Sequence, residues 1–283
     1  MNPIWRKKRE HLFLLLCRSV TFCSVAVLGI LLFHILNEGL SWLNMNFLSN
    51  FPSRFPHKAG VKSALFGSLW LISMTTLFAV PLGVATAFYL EEYAPKKRYI
   101  RWIQINISNL AGMPSIVYGL LGLTIFVRFF DLDRSLWAGS LTLSLLVLPV
   151  IIISSQEAIR AVPDAIRYAA YALGARPWQV IIGQILPAAL PGIMTGVILA
   201  LSRAIGESAP LIMVGALSYV AFAPESPSDP FTVLPIQIFN WAGRPQAEFH
   251  GLAGAGIIVL LLVLFTMNLA AVLIRQRTQK HKI

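Results

Sequence analysis

Residues 163–187 read Pro163-Asp164-Ala165-Ile166-Arg167-Tyr168-Ala169-Ala170-Tyr171-Ala172-Leu173-Gly174-Ala175-Arg176-Pro177-Trp178-Gln179-Val180-Ile181-Ile182-Gly183-Gln184-Ile185-Leu186-Pro187. A proline followed by an acid opens a helix. The proline lacks an amide that would have no partner there, and the carboxylate meets the positive helix end. Ala165 to Leu173 is a run of good helix formers. Gly174 then stops the helix, because glycine adopts the left-handed cap conformation without a Cβ clash. Pro177 starts a second helix, Trp178 to Leu186, and Pro187 marks the beginning of an apolar span. The stretch predicts two short helices joined by a sharp elbow at Gly174. Its alanines, Ala165, Ala169, Ala170 and Ala172, let the first helix sink into a groove on another protein. The same pattern also suits a helix lying on lipid headgroups. The residues alone leave both readings open.

On either side of the elbow the chain is apolar. Of 283 residues, 57% are hydrophobic and 12% charged, with a mean hydropathy of +0.71. A soluble domain carries about twice that share of charge. So apolar a chain needs lipid as part of its solvent. Segments of spanning length run from about Leu12 to Leu36, Leu65 to Leu90, Ile105 to Phe126, Leu136 to Ser154, Ala188 to Leu217 and Leu252 to Ile274. The expected fold is an all-α integral membrane protein of six transmembrane helices in a lipid bilayer, with the elbow outside it. The expected organisation is an N-terminal tail, first span and outside loop over 1–64, a core with five spans over 65–274, and a basic tail over 275–283. The first apolar stretch exceeds the length of a signal-peptide core and reads as a retained helix.

The net charge of +11 follows a topological pattern. Arg6, Lys7, Lys8, Arg9 and Arg18 fall on one side, with Lys96 to Arg101, Arg160 to Arg176 and Arg275 to Lys282. The other side holds only Arg54, Lys58, Lys62, Arg128, Arg134 and Arg244. Positive residues accumulate on the cytoplasmic side, so both termini and the elbow are expected there. No nucleic-acid role is expected, since the cations border spans and do not cover a soluble face. The outside loop from Ser218 to His250 contains a short helix over 236–242, with Trp241 expected as an interfacial anchor.

Charges inside spans are costly and rarely accidental. The fifth span carries Arg203 and Glu207, four apart and therefore on one helix face. Either they neutralise each other for packing, or Arg203 lines an anion path that Glu207 gates. Backbone breaks are expected at Pro81-Leu82-Gly83, at Gly112-Met113-Pro114-Ser115 and from Gly206 through Ser208 to Pro210; the alternative is a proline kink absorbed by packing, which suits Pro81 better than Pro114. Freed amides are tolerated at membrane depth where they line a cavity. Gly192 and Gly196, four apart, permit close helix contact.

No Gly-Lys pair occurs, so the chain lacks a phosphate-cradling P-loop. Cys17 and Cys23 lie six apart in an apolar run and read as packing residues, not as a disulfide or metal pair. The five histidines are scattered. Neither catalytic nor metal-ligating residues are expected, and no cofactor is expected on this chain.

The elbow resembles the cytoplasmic EAA loop of binding-protein-dependent ABC importer permeases, read as E-A-A, three residues, G, nine residues, I-x-L-P. Ala169, Ala170, Gly174, Leu186 and Pro187 match that pattern at its spacing. Tyr168 stands where glutamate is usual, and Gln184 where isoleucine is usual. The resemblance implies a type I, MetI-like permease whose coupling helix, with Tyr168, Leu173, Gly174, Ala175 and Arg176, docks into an ATPase. Ser202 to Leu211, and Phe231 to Ala242 with Arg244-Pro245-Gln246, are similar to motifs of phosphate permeases. Implied partners are a second homologous permease, two cytoplasmic ABC ATPase subunits that hold the ATP, and an extracytoplasmic phosphate-binding protein meeting the outside loops. The implied cargo is inorganic phosphate, passing Pro114, Ser115, Arg203, Gly206, Glu207 and Ser208. Permeases for sulfate, molybdate or phosphonate share the fold, and an ion-driven secondary transporter would leave the elbow unexplained.

Overall fold

The computed structural model describes residues 3–95, 97–216 and 219–280. Lys96, Leu217 and Ser218 were assigned above to the basic side, to the end of the fifth span and to the start of the last loop. They lie outside the described residues, as do the first two residues and the last three of the basic tail. The chain forms twelve α-helices among the described residues. They are α1 (Pro3–Gly39), α2 (Met45–Ser49), α3 (Lys62–Phe88), α4 (Arg98–Ala111), α5 (Ser115–Gly122) and α6 (Leu136–Arg160). There follow α7 (Asp164–Ala172), α8 (Pro177–Val180), α9 (Leu186–Gly206), α10 (Ala209–Val214), α11 (Leu234–Ala242) and α12 (Ala247–Lys280). The one β contact among them is an isolated bridge between Ser135 and Pro230.

Five segments are long and apolar enough to cross a membrane: Leu12–Trp42, Lys62–Tyr93, Leu136–Arg160, Pro177–Gly206 and Ala247–Gln276. A sixth apolar segment is a bent pair of helices. The predicted third span is not one rod, because α4 and α5 meet at 105° across Gly112-Met113-Pro114. Proline disfavours helical backbone in the residue before it, which ends α4. The Tyr118 hydroxyl spans the break and donates to the Leu110 carbonyl at 2.8 Å.

Three expectations need correction. Pro81 does not break the second span, since α3 runs through it unbroken and continues as a π turn, Tyr89–Tyr93. The segment after Pro177 is not a separate short helix. Here α8 passes through a π turn, Ile181–Ile185, straight into α9, making one helix of 30 residues. Pro187 sits in the first turn of α9, where its missing amide breaks no bond that the π turn had not already rearranged. The break expected in the fifth span is present: α9 ends at Gly206, and α10 is a distinct helix. Trp241 is no interfacial anchor. It is 1% exposed, with its ring 5.7 Å from that of Phe47, inside a cluster with Val61, Leu234, Phe249 and Leu252.

The axis of the bundle is α6, the most buried span, with two-thirds of its apolar window covered. It packs against α3, α9, α4 and α5. Against α9 the contact depends on small residues. A Cβ on Gly192 would lie 2.7 Å from the Ala158 Cβ, and one on Gly196 would strike the Ser154 side chain. The Gly192–Gly196 spacing is therefore a close contact here. Only the end of α1 joins the bundle. Gly39 abuts the backbone of Gly254 and Ala255 on α12, while Phe22 and Phe33 face outward. The last loop is pinned back onto the bundle: the Leu234 amide donates to the Ser68 hydroxyl at 2.9 Å, and Leu136 N–H donates to the Asp229 carbonyl. The Asp229 carboxylate accepts the amides of Ser226 and Glu225, which hold its carboxyl below the usual carboxylate range.

Gly192→Val should lower stability in detergent by about 1–3 kcal/mol, the usual cost of overpacking a close contact. Gly183→Ala should stay within about 0.5 kcal/mol, because nothing lies within 4 Å of its would-be Cβ. Thermal unfolding of both variants checks the contact.

Candidate functional site

The described residues bring together two constellations at opposite ends of one helix. At the start of α8 stands the elbow. The α7 helix ends with the Ala175 amide donating to the Ala170 carbonyl and the Gly174 amide to the Tyr171 carbonyl. This is a glycine cap, and Gly174 has φ +81°, which only glycine adopts without strain. The Arg176 amide donates to the Gln179 side chain and starts α8. At the tip, Leu173 is 89% exposed and Tyr168 69%. Tyr171 and Trp178 are exposed beside them, as are Ala169 and Arg176. Ala170 and Ala175 are half-buried against a cluster that holds Val162, Val180 and Ile185. Leu186 packs on the same cluster, and Pro187 is half-buried. The elbow thus has an anchored side and a projecting apolar side.

A buried guanidinium does much of the anchoring. Arg167 on α7 donates Nη1 to the Val162 carbonyl at 2.6 Å and Nη2 to the Ile159 carbonyl at 2.8 Å. Its Nε and Nη2 both reach Glu92 Oε1, at 3.2 and 3.1 Å, and Nη1 reaches Asp164 at 3.0 Å. Only Arg167 and Glu92 in this group are deeply covered, at 14% and 10% side-chain exposure. Next to them Glu91 accepts from Arg160 at 2.6 and 3.0 Å and from Gln156 at 2.7 Å. Both glutamates lie on the π turn that ends α3. The elbow is therefore tied to the ends of α3 and α6. Sequence reading missed this network, because Glu91 and Glu92 lie more than sixty residues from Arg160 and Arg167. Its signal was the paired acids Glu91-Glu92 at the end of a span in an acid-poor chain.

At the other end of α9, Arg203 Nε lies 3.2 Å from Glu207 Oε1. Glu207 is 17% exposed, but Arg203 is 53% exposed. The neighbours Ala204 and Ile205 belong to a cluster with Leu146 and Val147, midway along α6. A half-exposed guanidinium within a spanning segment is costly unless its open side is matched. Its open side is matched only by water, an anion or another protein.

The two chain breaks converge here. Tyr118 shares the Ala204 and Ile205 cluster, together with Met113 from the break itself. A Cβ on Gly119 would lie 2.7 Å from Pro210 Cα in α10. Gly206 has nothing within 4 Å of its would-be Cβ, and Pro114 is exposed. Ser115 and Ser208 are half-buried. On α4, Asn106 and Asn109 are exposed too, a polar stripe that sequence reading passed over.

Comparison with known proteins agrees with this architecture. Residues 79–280 match the family described as binding-protein-dependent transport system inner membrane component. The phosphate transport system permease protein PstA of Yersinia pestis is 32% identical over 268 residues, covering 94% of this chain and 90% of its own length. PstA 1 of Mycobacterium tuberculosis (strain H37Rv) is 36% identical over 239 residues, covering 83% and 75%. Among solved structures, the bacterial alginate ABC transporter in complex with an alginate-bound periplasmic protein matches with a TM-score of 0.68 and 16% identity, over 93% of both chains. The methionine transporter MetNI in an inward-facing form matches with a TM-score of 0.58 and 20% identity, over 75% of this chain and 94% of the other. At those identities the structural likeness carries the fold alone. The chain is a multi-pass membrane protein that belongs to the binding-protein-dependent ABC importer permease family.

Proposed function

We propose that this chain is the permease subunit of an importer that moves inorganic phosphate into the cell, powered by ATP hydrolysed on separate subunits. The cargo reading is supported by the names of the relatives at 32–37% identity. The single observation that carries the mechanism is the elbow, an apolar knob held on a buried ionic anchor. The basic bias of the elbow side supports a cytoplasmic elbow and cytoplasmic termini.

Leu173, Tyr168 and Tyr171 enter a cleft of one of two ATPase subunits. Apolar tips of this kind mark docking sites on otherwise solvated surfaces. A second, homologous permease faces the open side of Arg203 and completes the path. A phosphate-binding protein delivers cargo to the outer loops, chiefly residues 219–250. Arg203 attracts the anion, and Glu207 holds the guanidinium in place until phosphate displaces it. The freed backbone at Gly206 to Ser208 and at Pro114 and Ser115 supplies further polar groups. Closure of the ATPases pushes the elbow. Arg167 passes that push to α3 and α6, while α8 and α9 carry it to Arg203.

Arg203→Ala in the whole transporter should abolish phosphate uptake into proteoliposomes while subunit assembly survives, with sulfate and molybdate as control anions. Normal uptake would reduce Arg203 to a packing residue. Glu92→Gln keeps the shape of the anchor but removes its charge. It should lower phosphate moved per ATP several-fold while ATP hydrolysis persists, as a loosened linkage requires. An unchanged ratio would remove Arg167 and Glu92 from the coupling path.

A further inference from the structure

Where α3 turns into α4, the chain leaves a cavity of about 440 Å³, lined by Glu91, Pro95, Lys97, Arg98, Arg101 and Gln104. Among the described residues no carboxylate pairs with Lys97, Arg98 or Arg101. The one acid in the wall, Glu91, is already taken by Arg160 and Gln156. The cavity is therefore positive, and its cations lack a counter-charge.

The elements that wall it also carry exposed aromatic and aliphatic side chains. On the same helix Tyr99 is 51% exposed and Trp102 69%, followed by exposed Ile103 and Ile105. Tyr93, on the π turn, is also 51% exposed. The other face of α4 is buried, with Ile100 and Ile107 packed against Leu90 and Ile152. Aromatic rings with polar edges settle at the headgroup level of a bilayer, and aliphatic side chains settle just below it. Free cations and such rings alternate within one turn of α4. That order matches a phospholipid, with phosphate at the cations and acyl chains along the apolar residues.

We propose that this cavity binds the headgroup of an anionic phospholipid. Arg98 and Arg101 hold the phosphate as charge-assisted donors, Lys97 adds charge, and Trp102 and Ile105 border the acyl chains. Zwitterionic lipids carry their own cation and bind less well there. Glu91 belongs both to the cavity and to the π turn that carries Glu92. Occupancy therefore stabilises the turn on which the elbow is anchored. This consequence for coupling rests on the proposed function, whereas the binding itself does not.

The test uses the complete transporter in nanodiscs of phosphatidylcholine with graded phosphatidylglycerol, with retained lipids counted by native mass spectrometry. Phosphatidylglycerol should be retained preferentially. Arg98→Gln and Arg101→Gln should each cut that preference roughly five-fold, the scale of one basic residue at a charged surface. Arg98→Lys, which keeps the charge, should largely preserve it. Arg128→Gln, a cation outside the cavity, should leave it unchanged. Thermal melting separates loss of lipid from loss of fold, and Arg98→Lys stands in if a glutamine variant unfolds. Equal retention of the two lipids, or a preference that survives both glutamine variants, overturns the site. Displacement of the lipid by millimolar inorganic phosphate overturns the lipid assignment in favour of a free-anion site. Lipid binding with phosphate uptake absent would count against the transport reading alone.

Discussion

The close approach of α9 to α6 at Gly192 and Gly196 governs much of the rest. With no side chain in the way, the two helices touch backbone to Ala158 and Ser154. In lipid, where apolar side chains gain little by leaving their solvent, such tight van der Waals contact is the main cohesive force between helices. It locks the helix of α8 and α9 against the most buried span of the bundle. That helix has the elbow at one end and Arg203 at the other. At 1.5 Å per residue its 30 residues span roughly 45 Å, about the full thickness of a bilayer. The elbow and the charged break are thus two ends of one rod.

The ionic groups divide into two kinds. Arg167 makes bonds to two carboxylates and two carbonyls and is almost covered. A buried charge with that many partners fixes geometry, and removing one partner leaves an uncompensated charge. Arg203 has one partner and a half-open side. Under-satisfied charge in a span is costly, and the proposed anion path is what would offset it. The same contrast separates Arg160, tied to Glu91 and Glu157, from the unpaired Arg98 and Arg101 in the cavity nearby.

Much of this was legible in the sequence, for local reasons. The Gly174 elbow was readable because one glycine and two prolines, Pro163 and Pro177, punctuate it within fifteen residues. Arg203 and Glu207 were readable because charge in an apolar run stands out. The misreadings share a cause as well. Pro81 and Pro187 look like helix breakers, yet a helix absorbs proline where neighbouring turns rearrange, as the π turn at Ile181–Ile185 does. Trp241 looked interfacial because tryptophan on a short helix in an outside loop suits the membrane surface. Its burial depends on Phe47 and Phe249, and contacts that distant have no local signature. The Arg167 anchor was hidden for the same reason.

The most direct test of the account is the distance between spin labels at Trp178 and Leu199, both exposed positions on the α8–α9 helix. It would be measured by pulsed electron resonance in the assembled transporter, with and without ATP. A rod predicts about 31 Å, the same in both states, while each label moves relative to the partner subunits. A change of several ångströms between the two labels would show that the helix bends, and that the elbow and Arg203 are not joined in the way described.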